Sequence, residues 1–303
     1  MKLSTLLSVM VISIATLNAQ TINLKIVNAQ TQEAIPYAAV FSKDNKEGSY
    51  ADEKGNLSFE FSQTVDTVQF SAVGFGLEKM ALKDALKIKT KALQSLVISL
   101  PDVIISSKGL KKYEKNFGYY KRFRGIPAFG VHTNINNRFA LLIDNPTEQE
   151  GWVTKVRVRF DLSFTKAANF YRIQLRVYAN INGKPGTDLL TTFKAMDIKS
   201  SQQSLEQEIP EGTLPFTSKG VFIGYDVLGY EDAKGMFHPF KRGQKVPIGK
   251  KMEWDDFLCP GVAVDKKQKA VEVFEANGLG PWYKSHIVKF GAPMFGLVAS
   301  FKE

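Results

Sequence analysis

Two short clusters near the end of the chain combine aromatic and acidic side chains, as sugar recognition does. Trp254 and Asp255 stand together in a Glu-Trp-Asp-Asp run, and Trp282 and Tyr283 are adjacent in a Gly-Pro-Trp-Tyr-Lys run. An aromatic ring can stack on the apolar C–H face of a sugar, while a carboxylate accepts hydrogen bonds from its hydroxyls. These four residues are therefore the candidate ligand-binding residues. The alternative is that both clusters are aromatics that pack the core or a loop.

Recognisable catalytic and metal-binding motifs are missing from the sequence. The chain has no His-Glu-x-x-His pair, no pair of cysteines, no Gly-x-Ser-x-Gly elbow, no P-loop and no dinucleotide fingerprint. The adjacent Asp255 and Asp256 would point to opposite faces of a strand, whereas a glycosidase needs two carboxyl groups across one cleft. We predict no catalytic residue, no metal and no cofactor, and a structural role for each isolated histidine: His132, His238 and His286. A hydrolase with an unfamiliar site stays open as an alternative.

The chain is basic, with 40 Lys and Arg against 30 Asp and Glu and a formal net charge of +10. Such a charge attracts anionic partners, but here it is spread along the sequence. The densest basic runs, over residues 108–124 and 241–251, have no nucleic-acid-binding motif around them. We therefore interpret the charge as a solvated face and predict no nucleic-acid partner.

The first residues predict export. Lys2 gives a positive start, residues 6–17 form an apolar run relieved only by Ser and Thr, and Ala19 offers a small residue at a cleavage site. This is the pattern of a secretory signal peptide over residues 1–19. The run is shorter than the roughly 20 apolar residues that span a bilayer, and no later segment approaches that length. We expect an exported protein of the periplasm or cell surface with no transmembrane segment.

The region that follows has the spacing of a small all-β domain. Residues 21–27 and 57–61 alternate apolar and polar side chains, and residues 65–73 read as another strand. Between them, residues 52–56 form a turn in which Gly55 supplies a positive φ. Since Cys259 is the only cysteine, no intrachain disulfide can form, and stability must come from packed cores. Short strands separated by turns favour a β-sandwich.

Three segments of this region carry a family resemblance. The Ala-Ile-Pro-Tyr-Ala-Ala-Val run over residues 34–40, the hairpin over residues 48–59 and the strand over residues 66–75 resemble the carboxypeptidase-regulatory-like domain. That module is a transthyretin-like β-sandwich, common in exported proteins of the Bacteroidetes type and also found at the front of outer-membrane transporters. The resemblance covers about residues 21–105 and implies that residues 20–105 are a non-catalytic accessory domain.

The rest of the chain reads as a linker and a second β domain. Residues 106–125 are basic and aromatic, and we interpret them as a linker whose rings pack between domains; a stacking patch for sugars is the alternative. Within residues 126–303, apolar and polar side chains alternate along residues 153–164 and 171–181, so each run has one apolar face and one solvated face. The hairpin at residues 180–186, which follows the second run, resembles those of jelly-roll modules. We predict an all-β chain of two β-sandwich domains, the first transthyretin-like and the second jelly-roll-like.

Together these features predict an exported, non-catalytic binding or scaffolding protein of the bacterial cell surface or periplasm. A glycan is the favoured ligand, and peripheral association with the outer membrane is compatible with the sequence. One alternative is a protein-interaction module that docks to an outer-membrane transporter, so that the partner is a cell-envelope protein. The other is the hydrolase with an unrecognised site.

Overall fold

A computed structural model of the chain describes residues 20–96, 111–120, 129–131, 137–147, 149–161, 168–199, 204–242, 261–265, 271–285 and 292–302. This part of the chain is almost entirely β, as the sequence predicts, and its strands form four sheets. No helix within these ranges is long and apolar enough to cross a membrane. The expected signal peptide over residues 1–19 and the candidate residues Trp254 and Asp255 lie outside the described residues.

The first sandwich is built from two small sheets. Its elements are β1 (Gln20–Asn28), β2 (Ala39–Ser42), β3 (Gly48–Tyr50), β4 (Asn56–Phe61), β5 (Thr67–Ser71), β6 (Glu78–Ala81), α1 (Leu82–Ala85) and β7 (Thr90–Leu93). One sheet has the strand order β4-β1-β7, and the other contains β3, β2, β5 and β6 in that order.

Alternation of side chains explains why these strands form a sandwich. In β4 the buried positions are Leu57, Phe59 and Phe61, while the residues between them are exposed. Because side chains of a strand alternate between faces, one face of β4 enters the core and the other faces solvent. Burying each such side chain stabilises the fold by about 1.5–3 kcal/mol. The expected positive φ at Gly55 is confirmed at 76°, and a Cβ there would lie 2.7 Å from the Ile26 carbonyl oxygen.

The second sandwich contains two larger sheets. Their strands are β8 (Lys112–Gly118), β9 (Phe129–Val131), β10 (Asn137–Ile143), β11 (Gly151–Asp161), β12 (Ala168–Ile181), β13 (Lys184–Asp188), β14 (Ala195–Lys199), β15 (Ser204–Glu208), β16 (Pro215–Phe216), β17 (Val221–Asp232), β18 (Phe237–Pro239), β20 (Gly261–Asp265), β21 (Val273–Asn277), β22 (Tyr283–Lys284), β23 (Ala292–Pro293) and β24 (Phe295–Lys302). One sheet has the order β13-β12-β17-β10-β21-β22 and the other β23-β20-β11-β24-β8. Strand β19 (Lys241–Arg242) lies between β18 and β20 in the chain but belongs to the sheet that contains β3.

The inner faces of these two sheets share one hydrophobic core. The alternation of β11 and β12 is confirmed, since Val156 and Val158 pack into the same core as Ile173 and Leu175, all of them fully buried. Aromatic rings fill the space between the sheets, and Phe139 stacks on Phe295 with ring centroids 5.7 Å apart.

The outer face of β12 differs from the prediction. Arg172, Gln174 and Arg176 lie on this face, which the sequence pattern presents as wet, yet Gln174 is only 2% exposed and Arg176 only 8%. The first sandwich covers this face, so the polar side chains are buried at a junction. The expectation of a solvated face is therefore wrong for this strand, because alternation shows that two faces differ but not what covers each of them.

Part of the expected linker is a strand of the second sandwich. Lys112–Gly118 lies within residues 106–125 and pairs antiparallel with β24 over its whole length. The Tyr113 ring stacks on Phe301 at 5.6 Å, and the Phe117 ring meets Phe216 edge-on at 4.9 Å. These rings pack against the core of the second sandwich. The interpretation of this middle part as a linker that packs rings between domains is therefore corrected.

The two sandwiches are joined by both hydrogen bonds and apolar contacts. Strand β19 of the second part of the chain pairs with β3, so it extends a sheet of the first sandwich. Next to this pair, Ala39 and Phe41 of the first sandwich share a buried cluster with Leu228 and Phe240 of the second. Val40, between the first two, faces the core of the first sandwich. The sheet containing β2 and the sheet containing β17 therefore pack face to face.

Candidate ligand-binding cleft

A cleft of about 350 Å³ opens beside this junction, with walls from both sandwiches. The first sandwich contributes the segment that follows β5, and the second contributes the outer faces of β10 and β12 and the β12–β13 hairpin. The aromatic, charged and larger apolar side chains that line it include Phe75, Leu77, Leu96, Arg138, Arg176, Tyr178, Asp188 and Trp282. Aromatic, apolar and charged groups thus meet in one space.

Trp282 contributes the indole ring that lines the cleft. Its ring is half-buried and packs edge-on against Tyr178, with centroids 5.1 Å apart and planes at 71°. The indole also packs against a small buried cluster that contains Ala140, Phe222 and Phe274. The ring is therefore fixed by packing while part of it remains accessible from the cleft, which is the arrangement that a stacking platform requires.

Arg138 places a positive charge next to the indole. Its guanidinium carbon lies 5.3 Å from the centre of the Trp282 ring, within the range of a cation–π contact. Its Nε donates a hydrogen bond of 2.7 Å to the carbonyl oxygen of Gly278. In the described part of the chain, no carboxylate lies within 4.0 Å of its nitrogens. The remaining guanidinium N–H groups can therefore donate to a ligand.

Tyr178 contributes a buried hydroxyl to the same wall. The residue is 3% exposed, and its hydroxyl has no hydrogen-bond partner among the residues that the structure describes. Burial raises the pKa of Tyr178 well above its ordinary value, and the negative charge of Asp226 adds to that rise. The phenol therefore stays protonated at neutral pH. A buried donor without a partner is costly, and the oxygen is enclosed by protein, out of direct reach of a ligand in the cleft.

Arg176 forms the charged floor of the cleft together with two aspartates. Its Nη1 lies 2.7 Å from Asp188 Oδ2 and its Nε donates to Asp226 Oδ2 at 2.8 Å. Burial would lower the pKa of Arg176, but the adjacent carboxylates outweigh it and hold the pKa well above the ordinary value. Burial raises the pKa of Asp188, although Arg176 opposes that rise. One guanidinium faces two carboxylates, so the formal charge of the cluster is 1 − 2 = −1, and the hydrogen bonds fix the orientation of both carboxylates.

The structure separates the two neighbouring candidates predicted from the sequence. Trp282 lines the cleft, whereas Tyr283 does not and is 41% exposed on β22. Tyr283 lies opposite Glu275 in the β21–β22 pair. Successive residues of an extended chain point to opposite sides, so only one of the two rings can face the cleft. Trp254 and Asp255 lie outside the described residues, so their relation to the cleft stays a prediction.

Histidine and acidic residues give no metal centre in the described part of the chain, where no group of three potential ligands comes together. His238 is hydrogen-bonded to Asp232 through Nε2 at 2.8 Å, and its ring stacks on Tyr230 at 4.9 Å. This environment gives that histidine a packing role. His132 and His286 lie outside the described residues.

Sequence reasoning missed most of the polar groups of the cleft. Arg138 lies on β10, 40 residues before Tyr178 on β12, and Asp188 lies opposite Tyr178 in the β12–β13 hairpin; none of the three belongs to a motif. One signal was available, because a charged residue inside a strongly apolar strand such as Arg138 must be paired or line a cavity.

The cleft presents groups that can bind a ligand. Asp188 is the one carboxylate among its described lining residues, and Arg176 engages it. The remaining groups can stack on a ligand or donate hydrogen bonds to it.

Comparisons of the chain with models of known protein families, with curated proteins and with solved structures found no match. The geometry of the cleft is therefore the observation that points to a function.

Proposed function

We propose that this protein is an exported, non-catalytic glycan-binding protein of the bacterial cell envelope that holds its ligand between the two sandwiches. The observation that carries the proposal is the half-buried Trp282 ring, which lines a cleft together with Arg138 and Tyr178. The volume of about 350 Å³ falls within the range of about 300–1,000 Å³ that small-molecule sites occupy.

Each group in the cleft has a role that sugar chemistry explains. The apolar C–H face of a pyranose packs on the accessible part of the Trp282 indole and removes apolar surface from water. Arg138 donates hydrogen bonds to hydroxyl or carboxylate oxygens of the ligand, and the Tyr178 ring supports the indole edge-on. Arg176 stays paired with its aspartates and keeps the wall in place.

The carboxylates in the described lining of the cleft support a binding role over hydrolysis of the glycan. Hydrolysis of a glycosidic bond ordinarily uses two carboxyl groups, about 5–10 Å apart on either side of the bond. Asp188 is the one carboxylate that the described lining provides, and its Oδ2 is bound to Arg176 at 2.7 Å. A carboxylate held in this way serves as a structural anchor.

Export is supported by the sequence of residues 1–19 and by the resemblance of the first sandwich to accessory modules of exported proteins. An envelope protein with a glycan-binding cleft would meet polysaccharides of the cell surface or of the surroundings.

A second candidate function rests on the apolar rim of the cleft. Leu77 and Leu96 of the first sandwich are 52% and 44% exposed, and both line its mouth. Neighbouring exposed apolar side chains are typical of protein contact sites. This rim favours docking to another cell-envelope protein, such as an outer-membrane transporter. Co-purification of a membrane protein that is lost in the double variant Leu77→Ser/Leu96→Ser would support docking over glycan binding.

A glycan array followed by calorimetry tests the proposal. We expect the purified protein to retain a restricted set of oligosaccharides, to bind them with negative heat-capacity change, and to leave them uncleaved after prolonged incubation. An array without any bound glycan would reject glycan binding. Release of shorter sugars would replace the binding function with that of a hydrolase.

A further inference from the structure

A second cleft, of about 550 Å³, lies where β1 and β4 of the first sandwich approach the β3–β19 pair. It shares no lining residue with the cleft that contains Trp282. We call it the basic groove and define it by five exposed residues, Asn23, Lys25, Ser58, Lys89 and Lys241. Its chemistry differs from that of the first cleft.

Three lysines reach the groove from three different segments. Lys25 lies on β1, and its backbone N–H donates to the carbonyl oxygen of Lys89 at 2.9 Å, so these two residues are neighbours. Lys241 lies on β19, where it pairs with Ser49 of β3. The pairing of β19 with β3 therefore brings a lysine from the second half of the chain to a wall of the first sandwich.

The positive charge of the groove is not neutralised by the described residues. No carboxylate in the described ranges lies within 4.0 Å of the ammonium groups of these three lysines. Asp52 is the one carboxylate that lines the groove, and its Oδ1 accepts hydrogen bonds of 2.8 Å from the backbone N–H groups of Lys54 and Asn56. Three lysines and one aspartate leave a net charge of 3 − 1 = +2.

The other exposed side chains of the groove are polar. Asn23 and Ser58 are directly opposite each other in the β1–β4 pair, and both are exposed. Their side chains can exchange hydrogen bonds with sugar hydroxyls. Among the apolar side chains of the lining, Leu24, Leu57 and Tyr50 are buried, at 5%, 3% and 8% exposed, and Pro239 is half-buried. No exposed apolar side chain among the described lining residues offers an anchor for a bilayer.

We infer that the basic groove binds a sulfate or phosphate ester group carried on an oligosaccharide. The ammonium groups of Lys25, Lys89 and Lys241 surround the oxyanion, and Asn23 and Ser58 hydrogen-bond to hydroxyls of the sugar that bears it. Lysine is suited to this task, since it acts on an oxyanion as a compact point charge with three donors. This site is separate from the one proposed at Trp282, and either can exist without the other.

Calorimetry with three forms of one hexasaccharide tests this inference: sulfated, phosphorylated and unmodified. We expect the sulfated or the phosphorylated form to bind, and the affinity to fall steeply between about 50 mM and 200 mM salt as counterions are released. The arm that binds identifies the ester. Equal binding of the unmodified form would overturn the inference, because the oxyanion would then play no part.

Two triple variants of equal charge locate the binding. Lys25→Gln/Lys89→Gln/Lys241→Gln should weaken binding of the charged hexasaccharide by about tenfold or more, because it removes every cation of the groove. The control, Lys83→Gln/Lys184→Gln/Lys234→Gln, changes three exposed lysines outside the groove and should weaken it by less than about twofold.

Three results would overturn the inference. Equal loss of affinity in both triple variants would mean that the overall charge of the protein binds the ligand. Binding to anionic phosphatidylglycerol vesicles without binding to either charged hexasaccharide would assign the groove to a membrane surface. Failure of both charged hexasaccharides to bind at about 50 mM salt would show that the groove does not bind such esters. Since all the changed lysines are exposed, circular dichroism should show both variants folded.

Discussion

Arg172 of the second sandwich donates a hydrogen bond of 2.6 Å from Nη1 to the hydroxyl oxygen of Tyr37 in the first. The same guanidinium binds Asp197 through Nε and Nη2, at 2.7 and 2.9 Å, which fixes its plane. The Tyr37 ring stacks on Phe193 at 5.4 Å. A residue from each sandwich is therefore held in place by the other.

Tyr37→Phe removes the hydroxyl and keeps the ring. We expect the fold to be retained and the free energy of unfolding to fall by about 1.5–3 kcal/mol, the range for a hydrogen bond to a charged group. Urea unfolding followed by circular dichroism measures this loss. In an Arg172→Met background the same change should cost much less, because its partner is gone. Equal costs in both backgrounds would show that the two residues are not coupled.

Arg176→Met should be the most destabilising change at the junction. It removes the cation that pairs with both Asp188 and Asp226, whose side chains are 18% and 1% exposed. Breaking a buried pair by removing one partner costs about 3–5 kcal/mol. Chemical denaturation at pH 7 measures the loss. Lys184→Met, which removes an exposed charge on β13, should change stability by less than about 0.5 kcal/mol; similar effects of the two changes would contradict the assigned role.

Gly74→Ala tests whether the sandwiches are as close as the structure places them. A Cβ at Gly74, where φ is 77°, would lie 2.7 Å from the carbonyl oxygen of Thr191 in the second sandwich. Gly183 has nearly the same φ, 76°, with nothing within 4 Å of its Cβ position. Gly183→Ala should therefore cost about 1 kcal/mol from backbone strain alone.

Gly74→Ala should cost about 1–3 kcal/mol more than Gly183→Ala, since the backbone of a packed neighbour must shift. Thermal unfolding of the two variants side by side measures the difference. If both variants lost the same stability, the close approach of residues 74 and 191 would be wrong.

Glu78→Gln should alter the acid sensitivity of the first sandwich. Burial acts to raise the pKa of Glu78, but hydrogen bonds from Lys91 and from the backbone of Gln94 outweigh it, so the pKa lies below the ordinary value of 4.5. The folded protein therefore binds fewer protons here than the unfolded chain does. The stabilisation is present above pH 4.5 and is lost as the pH falls through the lower folded pKa.

Denaturation of both proteins across pH 7 to pH 3 tests the sign of this effect. The stability of wild type should fall more steeply than that of Glu78→Gln below about pH 4.5. Glu60→Gln is a suitable control, since Glu60 is exposed and forms no ion pair with the described residues. A wild-type curve parallel to that of Glu78→Gln would contradict the role of this carboxylate.

The strands of the cores could be predicted from sequence because alternation depends on neighbouring residues. The pattern over residues 171–181 placed Ile173 and Leu175 on the core face of β12, where the structure has them. The same pattern could not show that the first sandwich covers Arg176 on the opposite face. Strand β8 was missed because it lies at the edge of its sheet, where most of its side chains stay exposed and the apolar signal is weak.

The cleft was only partly predictable for a related reason. Trp282 was identified from residue type, since a tryptophan on a loop with Gly and Pro is conspicuous in a sequence. Arg138 and Tyr178 join it through the strand order β12-β17-β10-β21, which places residues more than a hundred positions apart on one face. Sheet order depends on long-range pairing, and no local pattern records it.

The comparison of Trp282→Ala with Tyr283→Ala tests the proposed glycan-binding cleft most directly. The two residues are adjacent in sequence, but only Trp282 lines the cleft. Calorimetry with an oligosaccharide selected on the array should show binding to Trp282→Ala weakened by about 2 kcal/mol, close to thirtyfold, as expected for an aromatic anchor of a binding site. Tyr283→Ala should bind as wild type does. Unchanged affinity in Trp282→Ala, or an equal loss in Tyr283→Ala, would contradict the assignment of this cleft.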